Sequence, residues 1–278
     1  MHLHTEHHPQ KLAIFRQGQA LPLLVQNAPT NKRAFIHPIL APDGIGEVTE
    51  NEPGHHLWQH GLYVGLNKVN GFGFWTEGLS SDPLDGTFHP KPLAPPAVNG
   101  NRVSWKVETA YRAPDGKLLF SETQSWTLED RTTTLALDVD WSMLAETDLE
   151  FGEYSYGGLF LRMPWRRETH GTVLTSEGAT TAETAEAQRA RWVAISMPIP
   201  GRDIGPCGFA FFDHPSNPEF PNPWRVDGGL GIVPSRSIAG SWHLAAGKTA
   251  TNRYRLVAFA GGIDGDFVEN QWRQFSRA

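Results

Sequence analysis

Between residues 101 and 144, apolar and polar side chains alternate with a period of two. Arg102-Val103-Ser104-Trp105-Lys106-Val107-Glu108 shows the pattern, as do Ser125-Trp126-Thr127-Leu128 and Leu135-Ala136-Leu137-Asp138-Val139-Asp140-Trp141. Successive side chains of a strand point to opposite faces, so this predicts strands with one packed and one wet face. Ala113-Pro114-Asp115-Gly116 and Glu129-Asp130-Arg131 supply the turns that join them into a meander.

Shorter apolar runs extend the reading in both directions. Residues 12–15 and 21–25, separated by Gln17-Gly18-Gln19, read as a strand pair, with Pro22 marking an edge strand or a strand start. Residues 34–40 form a third strand, closed by the turn Pro42-Asp43-Gly44, and residues 61–66 a buried one. Further short strands are expected at 159–163, 171–175, 192–196, 208–212, 242–244 and 252–259. Residues 177–190 carry Ala, Thr and Glu without a hydrophobic stripe, which predicts an exposed loop or a short helix. Phe267, Val268, Trp272 and Phe275 recur at roughly helical spacing, which predicts a terminal helix packed on the sheets. No break in composition, repeat or linker divides the chain. The expectation is all-β: a single large antiparallel β-sandwich domain over residues 1–278, with few short helices. Residues 1–10 are expected to be a flexible end or a peripheral, polar first strand.

Composition supports that class and narrows the partners. The 28 glycines and 21 prolines imply many turns, while 10 tryptophans and 15 phenylalanines supply a large core. A net charge of −6 with dispersed carriers argues against a nucleic-acid-binding face. The single cysteine, Cys207, excludes an intramolecular disulfide and fits a reducing compartment. No apolar run of about 18 residues is present, so no membrane helix is expected. The opening Met1-His2-Leu3-His4-Thr5-Glu6-His7-His8 has neither the basic nor the apolar region of a secretory signal. His2 and His4 would share a strand face and can be imagined on a metal, but a polar end accounts for them. A cytoplasmic location is the expectation.

Phosphate-binding glycine loops, a nucleophile elbow and paired CxxC knuckles are all absent from the sequence. Cys207 follows Pro206 at the start of an apolar strand, where a buried inert thiol is expected. Histidine and carboxylate chemistry remains. His55-His56-Leu57-Trp58-Gln59-His60 places three imidazoles within six residues. On an extended backbone His56, Trp58 and His60 would share a face, with His55 and Gln59 opposite. An indole can stack on the C–H face of a pyranose while imidazoles reach ring and anomeric oxygens. Joined by a carboxylate, His56 and His60 would instead hold a divalent metal; no other cofactor is implied. A second candidate is Asp213-His214-Pro215-Ser216-Asn217-Pro218 with Trp224 just beyond, the alternative being an Asx turn that caps backbone amides. A third is Glu153, a general base or metal ligand, with Arg162 as a clamp; a solvated carboxylate and a surface arginine are the alternative. His37, His89, His170 and His243 are isolated and read as structural, His37 least firmly.

Three segments together resemble one family. They are Phe35-Ile36-His37-Pro38 with Pro42-Asp43-Gly44, then His56-Leu57-Trp58-Gln59-His60-Gly61-Leu62 with Val69-Asn70-Gly71 and Trp75, and Asp213-His214-Pro215-Ser216-Asn217-Pro218 with Pro223-Trp224. The chain is similar over about residues 12–275 to the DUF6807 family, whose members often carry the label "methane oxygenase PmoA". Particulate methane monooxygenase subunits are membrane proteins, and this sequence has no membrane span. The resemblance implies a galactose-mutarotase-type β-supersandwich, a layout shared with carbohydrate-active enzymes. Many members carry His-His-Arg-Gly where this chain has Trp58-Gln59-His60-Gly61, and a Glu where it has Tyr156. If that Glu is the family's catalytic carboxylate, Glu153 would have to serve here.

The resulting expectation is an enzyme acting on a sugar or sugar derivative by acid–base chemistry. His60, His56, Glu153, Asp213 and His214 are the candidate catalytic groups. Trp58, Gln59, Trp75, Tyr156, Arg162, Asn217 and Trp224 are the candidate substrate contacts. The competing class is a non-catalytic carbohydrate-binding or scaffold protein with Trp58, Trp75 and Trp224 as a stacking platform. The expected partner is a small-molecule carbohydrate, with no nucleic acid or membrane; the oligomeric state stays open. A shared site requires that loops 53–61, 153–162 and 213–225 meet.

Overall fold

The structure, a computed structural model, describes residues 2–168 and 170–278. Two antiparallel sheets face each other, as the alternating runs require. The first runs in the order Leu3–His8, Lys11–Arg16, Leu24–Asn27, Phe35–Ile39, Leu62–Val69, Gly158–Leu161, Ile232–Pro234, Trp224–Val226. The short strands Phe72–Phe74 and Leu149–Phe151 pair with Leu62–Val69 off that path, and Trp242–Leu244 pairs with Leu149–Phe151. The second sheet runs Thr172–Thr175, Trp192–Met197, Cys207–Asp213, Thr249–Ala260, Thr134–Ala145, Leu118–Asp130, Arg102–Arg112, Thr87–Pro90, with Ala97–Asn99 beside Arg102–Arg112.

The meander is present, and its register explains the alternation. Trp126 lies opposite Val139 on one side and Trp105 on the other, so one row of apolar side chains crosses three strands. Along Arg102–Arg112 exposed and buried positions alternate, and the buried ones enter the core between the sheets. Cys207–Asp213 is instead buried at every position. Its second face is covered by the C-terminal helix Gly265–Phe275, whose Val268 and Phe275 pack with Ala194, Ala210, Phe212 and Val257. Asp264 caps that helix by accepting the Phe267 N–H at 3.0 Å. The only other α-helix among the described residues is the four-residue Ala182–Ala185, on the stretch read as loop or short helix.

Leu3–His8 is the polar first strand, paired along its length with Lys11–Arg16, and His4 stacks on Phe15 with centroids 5.1 Å apart. Among the described residues no helix is long and apolar enough to cross a membrane.

The core contains acceptors as well as hydrocarbon, because a buried indole N–H needs a partner. Trp105 donates to Gln26 at 3.0 Å, Trp126 to Gln124 at 2.9 Å, and Trp141 to Glu122 at 2.7 Å. Glu122 also accepts the Tyr111 hydroxyl at 3.1 Å. Burial pushes the Glu122 carboxyl from 4.5 up to about 7, against the pull of these donors. The folded state therefore binds a proton that the unfolded chain releases above 4.5. Stability is greatest below that pH and falls as pH rises to about 7, by about 3 kcal/mol at about 1.4 kcal/mol per tenfold change in proton affinity. In Glu122→Gln, which mimics the protonated acid, urea denaturation is expected to lose this slope between pH 4.5 and 7. An unchanged slope would place the titration elsewhere.

Candidate functional site

Sheet register decides where the site forms. Leu62 pairs with Leu161, Leu161 with Ile232, and Ile232 with Val226, so four strand ends lie in one row. The segment before Leu62, the segment after Leu161 and the turn between Val226 and Ile232 therefore emerge together at one end of the first sheet. Trp75, following Phe72–Phe74, runs back toward the same end, because Phe74 pairs with Leu66.

Residues 52–60 are a series of turns, not a strand. The His56 N–H bonds to Pro53 O at 2.7 Å, Gln59 N–H to His56 O at 3.1 Å, and Glu52 N–H to Gln59 O at 2.7 Å. Pro53 and Gly54 prevent a ladder from forming, so the expected alternation fails. His55 and His56 both reach the cavity described below, while His60 turns inward and is fully buried. His60 Nδ1 meets Asn51 Oδ1 at 2.8 Å and its Nε2 meets Glu77 Oε2 at 2.9 Å, with Phe35 stacked on the ring at 4.6 Å. Both ring nitrogens are thus taken, which removes His60 as a catalytic base and as the metal partner of His56. Among the described residues no three His, Cys, Asp or Glu side chains are arranged to hold a metal ion. Gly61 ends the turns at φ +69, where a Cβ would lie 2.6 Å from Ile36 O, so only glycine fits.

Glu77 anchors the back of this loop. Its Oε1 accepts Arg33 Nε at 2.9 Å and the Arg33 backbone N–H at 3.0 Å, and Arg33 also donates to Trp75 O. Burial alone would raise the Glu77 carboxyl, but Arg33 and His60 outweigh it and hold it down at about 2.

The front of the loop is tied to Arg162. Arg162 Nε donates to Gln59 Oε1 at 2.6 Å, Nη1 to Gly229 O at 2.9 Å, and Nη2 faces Asp227 Oδ2 at 3.4 Å. Asp227 Oδ1 accepts the N–H groups of Gly229 and Gly231 at 2.8 and 2.9 Å, an Asx turn that fixes the carboxylate. These segments enclose a cavity of about 360 Å³. Trp58, Trp75, Tyr156, Phe160 and Trp165 make its aromatic wall, and Trp75 lies 4.4 Å from Tyr156 between centroids. His55, His56, Gln59, Arg162, Arg225 and Asp227 make its polar wall. His56 Nδ1 and Trp58 Nε1 are buried in that wall without a protein hydrogen-bond partner. Burial lowers the His56 pKa below 6.5, helped by His55 and Arg162 and opposed by Asp227. The imidazole is therefore neutral at pH 7 and can accept a proton.

Of the residues singled out from the sequence, His56, Trp58, Gln59, Trp75, Tyr156 and Arg162 meet here. Glu153 does not: its side chain is exposed on the surface, and its backbone N–H is bound by Ser241. The Asp213 segment lies elsewhere, on the second sheet. Asp213 accepts Asn217 Nδ2 at 2.7 Å and the backbone and side-chain N–H groups of Asn222 at 2.9 and 3.1 Å. Burial still lifts its carboxyl to about 6. These bonds, to residues four and nine positions further along the chain, tie a loop together. His214 binds Ser216 at 2.7 Å and sets its ring edge-on to Phe275, and Asn217 also bonds Arg253 O at 2.8 Å. Trp224 is fully buried, donating to Ala190 O at 2.8 Å, so it offers no platform. The residues missed were Asp227, Arg225, Trp165, Glu77 and the cavity-facing role of His55. Asp227-Gly228-Gly229 is a turn signal two residues beyond Arg225 and was the one available clue.

A second, more polar cleft of about 490 Å³ lies beside the first, lined by His37, Glu47, Thr49 and Glu50 among others. Burial, with His60 nearby, pulls His37 down to about 4, and Thr49 Oγ1 holds its Nδ1 at 3.0 Å. It has no aromatic wall.

An antiparallel sandwich carrying an aromatic-walled, His- and Asp-bearing cavity at one sheet end is the class that fold and site define. The chain belongs to the DUF6807 family, a family of unknown function whose model matches residues 11–273. No curated protein sequence matches it. Similar solved structures include a galactose mutarotase related enzyme from Lactobacillus acidophilus, 10% identical over 94% of this chain and 99% of that one, with TM-score 0.38. A GH36 α-galactosidase from Geobacillus stearothermophilus is 9% identical over 94% of this chain and 42% of its own, with TM-score 0.43. A TPR-domain containing protein from Parabacteroides distasonis is 12% identical over 93% and 51%, with TM-score 0.38. None of these overlaps bears on the chemistry.

Glu77→Gln leaves Arg33 buried beside a neutral amide, and breaking such a pair costs about 3–5 kcal/mol. Urea denaturation at neutral pH is expected to show a loss of that size. The carboxylate is held below its unfolded value, so its stabilisation is full above 4.5 and lost as pH falls toward about 2. The variant should lack that acid limb. A loss under about 1 kcal/mol would mean the pair is not what holds the loop.

Proposed function

We propose that the cavity binds a sugar ring and that the protein is a carbohydrate-active enzyme working by acid–base chemistry. One observation carries the reading: a neutral imidazole, His56, and a turn-fixed carboxylate, Asp227, share one cavity whose remaining wall is aromatic. A pyranose has two apolar C–H faces and a rim of hydroxyls, so it needs both kinds of wall. Trp58, Trp75 and Trp165 offer faces for stacking, worth about 0.5–1.5 kcal/mol each on the scale of aromatic contacts. Gln59, Arg225, His55 and Asp227 offer donors and acceptors for the rim. A volume of about 360 Å³ suits a small ligand.

In this reading His56 takes a proton from the bound sugar and, as the imidazolium, returns it at the product stage. Asp227 orients a hydroxyl beside it and stabilises the imidazolium that forms. Arg162 is a positioning residue, since its Nε, Nη1 and Nη2 each face a protein partner, Gln59, Gly229 and Asp227. No step calls for a metal, and Glu153 and Asp213 take no part.

Tryptophan fluorescence titration with a panel of free aldoses and simple glycosides, with turnover followed by proton NMR, tests this. Wild type is expected to show quenching and conversion of at least one sugar. His56→Gln should keep the quenching and lose about 100-fold or more in rate, the usual worth of a general base. The rate should fall as pH drops through a value below 6.5, because the base must be neutral. Quenching without turnover across the panel would make the protein a binding module. No quenching, or an unaffected His56→Gln rate, would overturn the reading.

A further inference from the structure

A second cavity, also of about 360 Å³, lies across Trp165 from the first. Trp165 and Gly228 line both, so the two are compartments of one groove with an indole at their junction. The second compartment mixes an apolar floor, Val173 and Leu230, with Arg167, His170, Thr181 and Glu183 on its sides. Dispersed donors and acceptors over a small apolar floor again match a polyhydroxylated ring.

Both compartments are built on one support. The short helix Ala182–Ala185 carries Glu183, and its cap Glu186 accepts Arg225 Nη1 at 2.5 Å and the Val226 N–H at 2.7 Å. The outer wall is thereby tied to the strand that leads into Asp227, so the spacing between compartments is fixed by hydrogen bonds. The polypeptide between them separates two environments: Trp165 and Arg167 face the groove, whereas Pro164 and Arg166 face the polar cleft with Glu50.

Gly228 marks the passage. A Cβ at Gly229 would lie 2.7 Å from Arg162 Nη1 and one at Gly231 2.3 Å from Phe160 Cζ, so packing forbids side chains there. A Cβ at Gly228 would meet no atom within 4 Å, and its φ lies outside the left-handed region. Neither packing nor backbone demands glycine at this position; what its bareness does is keep the junction low.

From this geometry we infer that the substrate spans both compartments. It is an oligosaccharide or a disaccharide-sized glycoside, with one ring between Trp58 and Trp165 and the next on the far side of Trp165. The inference deepens the sugar-binding reading above and stands on it.

The test compares free monosaccharides with their di- and trisaccharides by calorimetric titration on wild type, Gly228→Leu and Glu183→Ala. Wild type should bind the best disaccharide about tenfold or more tighter than its monosaccharide. Gly228→Leu, which fills the junction, should remove most of that gain. Glu183→Ala, on the exposed helix, should weaken only the longer ligands, with the melting temperature of both variants unchanged. Monosaccharide binding with no gain from a second ring would overturn the inference and leave the sugar reading standing. Equal losses for short and long ligands in Glu183→Ala would also overturn it. Failure of every sugar of either length would overturn both.

Discussion

The carboxylate of Glu77 is what holds the cavity wall in place. Residues 50–61 have turn hydrogen bonds and one isolated bridge but no sheet ladder, so much of their support must come from side chains. Glu77 supplies it from behind by gripping Arg33 with one oxygen and His60 with the other. Each of these groups is expensive to bury alone, and the cost is offset only because the charges and hydrogen bonds meet in one place. Glu77 itself sits at φ 54, an uncommon conformation for a residue with a side chain, kept by those same bonds. If any member leaves, the others are stranded in the core, and His55, His56 and Trp58 lose their placement.

Arg162 does for the front of the loop what Glu77 does for the back. A guanidinium has five N–H donors in a fixed fork. Here Nε and both Nη atoms already face Gln59, Gly229 and Asp227, and the residue is 2% exposed. An anionic ligand would have to break those bonds to use it. The charge still acts at a distance: Arg162 lowers His56 while Asp227 raises it, and burial decides the balance toward neutral imidazole.

The fold was readable because period-two burial is a local property. Every residue from 102 to 108 declares its face by its own polarity, and the register of three long strands follows. The strand expected at 208–212 was equally plain from its unbroken apolar run and is observed as Cys207–Asp213, and the terminal helix was plain from the spacing of Phe267, Val268, Trp272 and Phe275. The site was half readable for the opposite reason. Trp58, Trp75, Tyr156 and Arg162 stand out as residue types, and they do converge. The face that each histidine takes depends on turns at Pro53 and Gly54, and treating that segment as a strand exchanged the roles of His55 and His60. Asp213 attracted notice beside a histidine and aromatics, yet those neighbours serve a loop lock. Asp227 carries no such marks, because its importance comes from where Val226 ends.

That last point follows from topology. In the first sheet, Leu62–Val69, Gly158–Leu161, Ile232–Pro234 and Trp224–Val226 are neighbours, although long stretches of chain separate the first three. The chain leaves for the other sheet and returns each time, and antiparallel pairing brings each return to a level set by its partner. With Leu62, Leu161, Ile232 and Val226 in one row, the connections beyond that row have to meet. Each supplies a different component: imidazoles from 55–56, the arginine and Trp165 from 162–165, the carboxylate from 227. A histidine-rich hexapeptide marks this place in the sequence, but the row of four strand ends is what makes it a site.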